Sequence, residues 1–214
     1  MPDVTSVGEP DPLRAAVDAA IGFFRDIEVR QWDAAAARVD PDAATRFRET
    51  ALAVFSRWAA TRASRQAAPN GPVAFGVGLG GTADPSLVEQ YGATPLRGVR
   101  GVSTLGELAG LTPAQLVARS LEYQGGETPD GPDEAVTREV LAAVAEGALA
   151  AQVVYRRHRA SMTTSWAGPV ERLGMTLRDG RWFVDLERMH VSLARLLRDN
   201  MHGQPPGDAA GPAS

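Results

Sequence analysis

The sequence predicts an α+β protein, with N-terminal helices packed on the concave face of a curved antiparallel sheet formed mainly by the C-terminal third. Three observations carry this. Apolar residues recur at helical spacing between positions 11 and 65. Two-residue alternation takes over after position 135. The alternating runs on either side of Asp179-Gly180 read as a hairpin closed by a type I′ turn.

Asp11-Pro12 supplies a capping carboxylate and a proline at the first helical position. Leu13, Val17, Ile21 and Phe24 then form an apolar stripe, so a helix is expected to about residue 30. Trp32 to Val39 reads as a second, short helix. Asp40-Pro41 repeats the start signal, and Phe47, Ala51, Phe55 and Trp58 mark a third helix ending near Arg65.

Residues 66–102 change character, being rich in glycine and proline, with at most one short strand, near 73–77. Thr104 to Glu107 and Thr112 to Gln115 are capping boxes, each with a side-chain acceptor three residues after a threonine. The second opens a helix to about Gln124, and "GGETPDGPDE" is a loop.

"TREVLAAVAEGALAAQVVYRRHR" reads as two strands around Glu146-Gly147-Ala148-Leu149, with a helix over 135–150 as the competing reading because of its alanines. A two-residue loop at Gly147-Ala148 sets Glu139 opposite Arg156 and Thr137 opposite His158. The second strand is expected to turn back at Ala167-Gly168-Pro169, which brings His158 close to Leu177 and Met162 close to Leu173. In the last hairpin Leu173, Met175 and Leu177 share one face with Trp182, Val184 and Leu186 opposite them. Met189, Leu193, Leu196 and Leu197 suggest a closing helix. The chain is thus expected to be a flexible lead-in over 1–10, one domain over 11–199 with an insertion at about 66–135, and a disordered tail over 200–214.

The helix over 11–30, the "QWDAAAARVDP" link, the helix over 41–65, "VLAAVAEGALAAQVVYR" and "GMTLRDGRWFVDL" together resemble the nuclear transport factor 2-like superfamily, which includes the SnoaL-like and ketosteroid isomerase-like proteins. The resemblance covers roughly residues 11–65 and 136–187; the middle departs from the family pattern. It implies a cone-shaped cavity between helices and sheet, and dimerisation through the sheet face turned away from the helices. Val153, Tyr155, Thr176 and Phe183 are the candidates for that outer face. It also implies two kinds of function. One is non-catalytic binding of a small apolar ligand or a protein partner. The other is an isomerase, dehydratase or cyclase acting on a small hydrophobic substrate in the cone.

Composition narrows the field. The chain has 214 residues and a formal net charge of −4, and all 22 of its basic residues are arginine. Nucleic acid is not expected as a partner. The charge of "VVYRRHR" is split, with Tyr155, Arg157 and Arg159 on one face and Arg156 and His158 on the other, whereas a nucleic-acid platform keeps its cations on one face. With Val153 and Val154 expected inside, this stretch reads as a strand whose outer half is solvated. There is no cysteine, no apolar run long enough to cross a bilayer and no basic, apolar leader, so a cytoplasmic protein is expected, with no membrane partner. "FGVGLGG" lacks the strand and long helix of a dinucleotide fingerprint, and no cofactor is expected. His158, His190 and His202 have no metal-ligand spacing, so no metal is expected either.

The candidate site follows from the assumed register. Glu139, Arg156, His158, Met175 and Trp182 are the candidate ligand-binding residues, a polar cluster beside apolar side chains. His158 is the candidate catalytic residue, because an imidazole beside a carboxylate and an arginine is easily tuned for proton transfer.

Overall fold

The computed structural model describes residues 11–67, 83–96, 99, 101–126, 135–161 and 164–186. The lead-in, the strand near 73–77, the loop after 126, the closing helix, the tail, Met162, His190 and His202 lie outside the described residues. The architecture is α+β; among the described residues six helices are followed by a four-stranded antiparallel sheet of order β1-β2-β3-β4. The described residues divide into two compact units, one drawn from residues 11–50 and 111–186, the other from residues 51–110.

In the first unit α1 spans Pro12–Glu28, and the Asp11 carboxylate accepts from the Leu13 amide at 3.0 Å. Such a cap contributes about 1 kcal/mol. The helix ends in a Schellman arrangement, in which the Arg30 amide donates to the Ile27 carbonyl and the Gln31 amide to the Asp26 carbonyl. Arg30 therefore takes a left-handed conformation, φ +59°, at a position that normally suits glycine. Helix α2, Trp32–Ala36, follows. Asp40 caps α3, Pro41–Ala67, accepting from the Asp42 and Ala43 amides. Helix α6, Pro113–Gly126, packs on α2. Its capping box is reciprocal: the Gln115 amide donates to Thr112 Oγ1 and the Thr112 amide to Gln115 Oε1.

Strands β1, Ala135–Ala145, and β2, Ala150–Ala160, replace the competing helical reading. Strands β3, Ser165–Arg178, and β4, Arg181–Val184, form the hairpin with Asp179 and Gly180 both at positive φ, as a type I′ turn requires. Helix α1 lies across one face of the sheet and touches all four strands. Phe23, Val153, Leu173, Met175 and Val184 are almost completely buried, each worth roughly 1.5–3 kcal/mol of transfer free energy. The link between α2 and α3 runs beside β4: Val39 bridges Val184 in parallel, the Val184 amide donates to the Arg38 carbonyl, and the Asp40 amide donates to the Val184 carbonyl. Arg178, at the end of β3, reaches back to Asp42 at 2.5 Å and Asp40 at 3.5 Å.

The second unit takes α3 from Ala51 onward, together with α4, Pro85–Tyr91, and α5, Leu105–Gly110. Asp84 caps α4 and Thr104 caps α5. Helices α4 and α5 approach so closely that a Cβ on Gly106 would stand 3.2 Å from the Gly92 carbonyl oxygen. Its buried residues include Val54, Phe55, Trp58, Leu96, Leu105 and Leu108.

Two irregularities set the sheet register. Val140 faces Tyr155 but Ala142 faces Val154, so Leu141 is an extra residue in β1. The β1–β2 turn is also longer than expected, since the Glu146 amide donates to the Ala150 carbonyl around Gly147–Leu149. The two departures cancel, and Glu139 faces Arg156 and Thr137 faces His158 as the sequence predicts. The expected reversal at Ala167-Gly168-Pro169 is not made. The chain turns at 161–164, where the Ser161 amide donates to the Thr164 carbonyl and the Thr164 amide to Ser161 Oγ. Gly168-Pro169 is instead a bulge inside β3, the two residues standing against Arg157 alone. Proline cannot donate to a ladder, and a bulge is one of the few places in a sheet that tolerates it.

Candidate functional site

The turn at 161–164 redraws the candidate site. His158 faces Ala167 rather than Leu177. Met175 faces Ala151, seven residues back along β2, which is about 23 Å of strand. The two groups also point to opposite faces. Val153, Leu173, Met175 and Val184 lie on the face covered by α1, together with Trp182, whose partner is Leu177. Glu139, Arg156 and His158 lie on the other face, the one that α1 leaves open. The five candidate residues therefore do not form one cluster. Met175 is 1% exposed and is a core residue.

On the open face His158 Nε2 stands 2.9 Å from Glu139 Oε2, with side chains 34% and 56% exposed. Glu139 faces Arg156 across the strands, but its carboxylate contacts the neighbouring imidazole. Arg156 Nε is buried without a hydrogen-bond partner among the described residues.

The assignment of Val153 and Tyr155 to the outer face is corrected. Val153 is fully buried, and the Tyr155 ring packs on Phe24 of α1 with centroids 4.6 Å apart. Thr176 and Phe183 do lie on the open face, since Thr176 pairs with Ala150 and Phe183 with Thr176. Val154 and the arginines 157 and 159 are partly exposed, so the strand does become wetter toward its end.

The helix-covered face carries a polar cluster that the sequence reading missed. Arg138 and Arg157 are direct cross-strand neighbours, an arrangement that like charges disfavour. Each has a carboxylate. Arg138 stands 3.7 Å from Glu28 on α1 and over the Phe24 ring, and Arg157 Nε donates to Glu171 Oε1 at 2.5 Å. Tyr155 lies alongside and donates to Glu171 Oε2 at 2.8 Å. Burial lowers the Arg138 pKa, with Glu28 pulling the other way. Burial raises the Tyr155 pKa to about 12, assisted by its bond to Glu171. The phenol is thus a firm donor at neutral pH, and Glu171 is doubly held. Farther along, Arg159 lies over the Trp166 ring. The signal for this cluster was present in Ser161 and Thr164, whose hydroxyls hydrogen-bond each other at 2.9 Å; once the reversal is placed there, Glu171 falls beside Tyr155.

Among the described residues no group of three or more His, Cys, Asp or Glu could hold a metal ion, and no helix is long and apolar enough to cross a membrane. Neither a family model, nor a curated protein, nor a solved structure matches the chain.

Proposed function

We propose that this chain is a non-catalytic binding module of the nuclear transport factor 2-like kind, and that the open face of its sheet docks a protein partner, a second copy of the chain being the partner its surface suits. One observation carries the reading. Of the seven large hydrophobic residues exposed among the described residues, five (Leu141, Val144, Leu149, Trp166 and Val170) belong to β1, β3 or the β1–β2 turn. Val144 and Val170 sit on the open face itself, 55% and 50% exposed. Exposed apolar side chains on one face favour an interaction surface there, and these two valines carry it, Trp166 lying on the opposite face beside Arg159. The same face holds both signs of charge, Glu139 against Arg156 and Arg172, as a self-complementary two-fold contact needs. The helix-covered face is occupied by packed side chains and mutually paired charges, which favours a partner outside over a small apolar ligand inside.

Light scattering of the purified chain at roughly 50 micromolar tests this, since dimer mass depends on concentration. The expected result is a dimer that Val144→Asp and Val170→Asp convert to a monomer with unchanged circular dichroism. A monomeric native chain at that concentration overturns the reading.

The second reading, an isomerase, dehydratase or cyclase, draws on the His158–Glu139 contact, the one imidazole–carboxylate pair among the described residues. Turnover of a small hydrophobic ketone or enol that is abolished by His158→Ala in a fully folded protein would favour it over docking.

A further inference from the structure

A cleft of about 400 Å³ opens between the α1–α2 link, α2 and α6. Its size is that of small-molecule sites. One side presents Arg30, Trp32 and Asp33; the other presents Ala118, Arg119 and Glu122. Arg119 and Glu122 already pair with each other at 3.2 Å. The Arg30 guanidinium and the Asp33 carboxylate make no hydrogen bond or ion pair among the described residues. The cleft thus offers one free cation, one free anion and an aromatic wall.

Arg30 supplies a second, independent observation. It occupies the left-handed position of the Schellman cap at φ +59°, where glycine is relaxed and an arginine is strained. The backbone gives no reason for an arginine there. Strain of this kind is retained where a side chain is needed at one place.

We propose that the cleft binds a small zwitterion with a flat apolar body, an aromatic α-amino acid being the simplest such molecule. The carboxylate lies on the Arg30 fork, which matches its geometry. The ammonium lies toward Asp33, and the ring rests on Trp32 with Ala118 closing the far side. A simple anion is disfavoured by Asp33, and a simple cation by Arg30. This site is separate from the open sheet face, and it stands or falls independently of docking there.

The test uses the ¹⁵N-labelled full chain, with the Trp32 indole signal as readout and L-phenylalanine, 3-phenylpropionate and phenethylammonium as probes. L-Phenylalanine is expected to shift the signal saturably, with each half-probe at least about tenfold weaker. Arg30→Gly removes the fork and relaxes the cap. It is expected to abolish binding while raising Tm by about 2–4 °C, so loss of the site is separated from loss of the fold. Asp33→Asn is expected to weaken L-phenylalanine about tenfold and to leave 3-phenylpropionate no weaker. No indole shift with L-phenylalanine at about 10 mM, a half-probe binding as tightly as L-phenylalanine, or undiminished binding by Arg30→Gly would each overturn the proposal.

Discussion

The Arg38 guanidinium lies over Gly22 of α1 and closes on the buried Asp26 carboxylate at 2.5 Å. It does so because Gly22 has no side chain, since a Cβ there would stand 2.7 Å from Arg38 Nη1. The Arg38 main chain also accepts from Val184, so one residue ties helix, link and sheet edge together.

Gly22→Ala should therefore destabilise. Alanine gains roughly 0.5–1 kcal/mol of helix propensity over glycine, but leaving a buried carboxylate without its partner costs about 1–3 kcal/mol. With Asp26→Ala as background the arginine is free to move, and Gly22→Ala should become stabilising. Urea unfolding of the four proteins reads the coupling directly; strictly additive effects would refute it.

Gly180 is at φ +73° in open space, with nothing within 4 Å of where its Cβ would be. Gly180→Val should cost more than about 1 kcal/mol through backbone strain alone. Gly180→Asn should cost clearly less, because asparagine tolerates the left-handed region. Equal losses in thermal unfolding would show that the turn is not limited by φ.

The Tyr155 phenol has a folded pKa of about 12, above the ordinary value of about 10. Below pH 10 it is neutral in both states and its contribution is fully present. Between about pH 10 and 12 only the unfolded chain ionises, so stability should fall across that window. Tyr155→Phe should flatten this part of the profile while costing about 1 kcal/mol at neutral pH for the lost bond to Glu171. An unchanged alkaline limb in the variant would place the effect on another tyrosine.

His158 and Glu139 touch across strands on a wet face. His158→Ala and Glu139→Ala should each change stability by no more than about 0.5 kcal/mol when unfolding is followed at low protein concentration. A loss several times larger would mean that the pair supports the sheet.

The fold was legible where local chemistry decides. Asp11, Asp40 and Thr112 announce helix starts, and Asp179-Gly180 announces the hairpin, because caps and turns depend on a few adjacent residues. Register was legible only in part. Leu141 and the longer turn at Gly147 offset one another, so Glu139 and Arg156 meet although neither irregularity was foreseen. At Gly168-Pro169 nothing offset the mistake. Glycine followed by proline signals a turn in isolation, and only the Arg157 carbonyl, 3.1 Å from where a Gly168 Cβ would stand, shows that the glycine is there for a close approach within a strand. Moving that one reversal separates His158 from Met175 and brings Glu171 to Tyr155.

The link that runs beside β4 also governs how sheets of this protein can grow. Strand β4 is only four residues long, and both main-chain groups of Val184 are already taken by Arg38 and Asp40. Strand β1, eleven residues long, has no second strand partner among the described residues. The β4 side of the sheet is therefore closed to a further strand at Val184, whereas β1 offers its outer border to an added strand along its eleven residues.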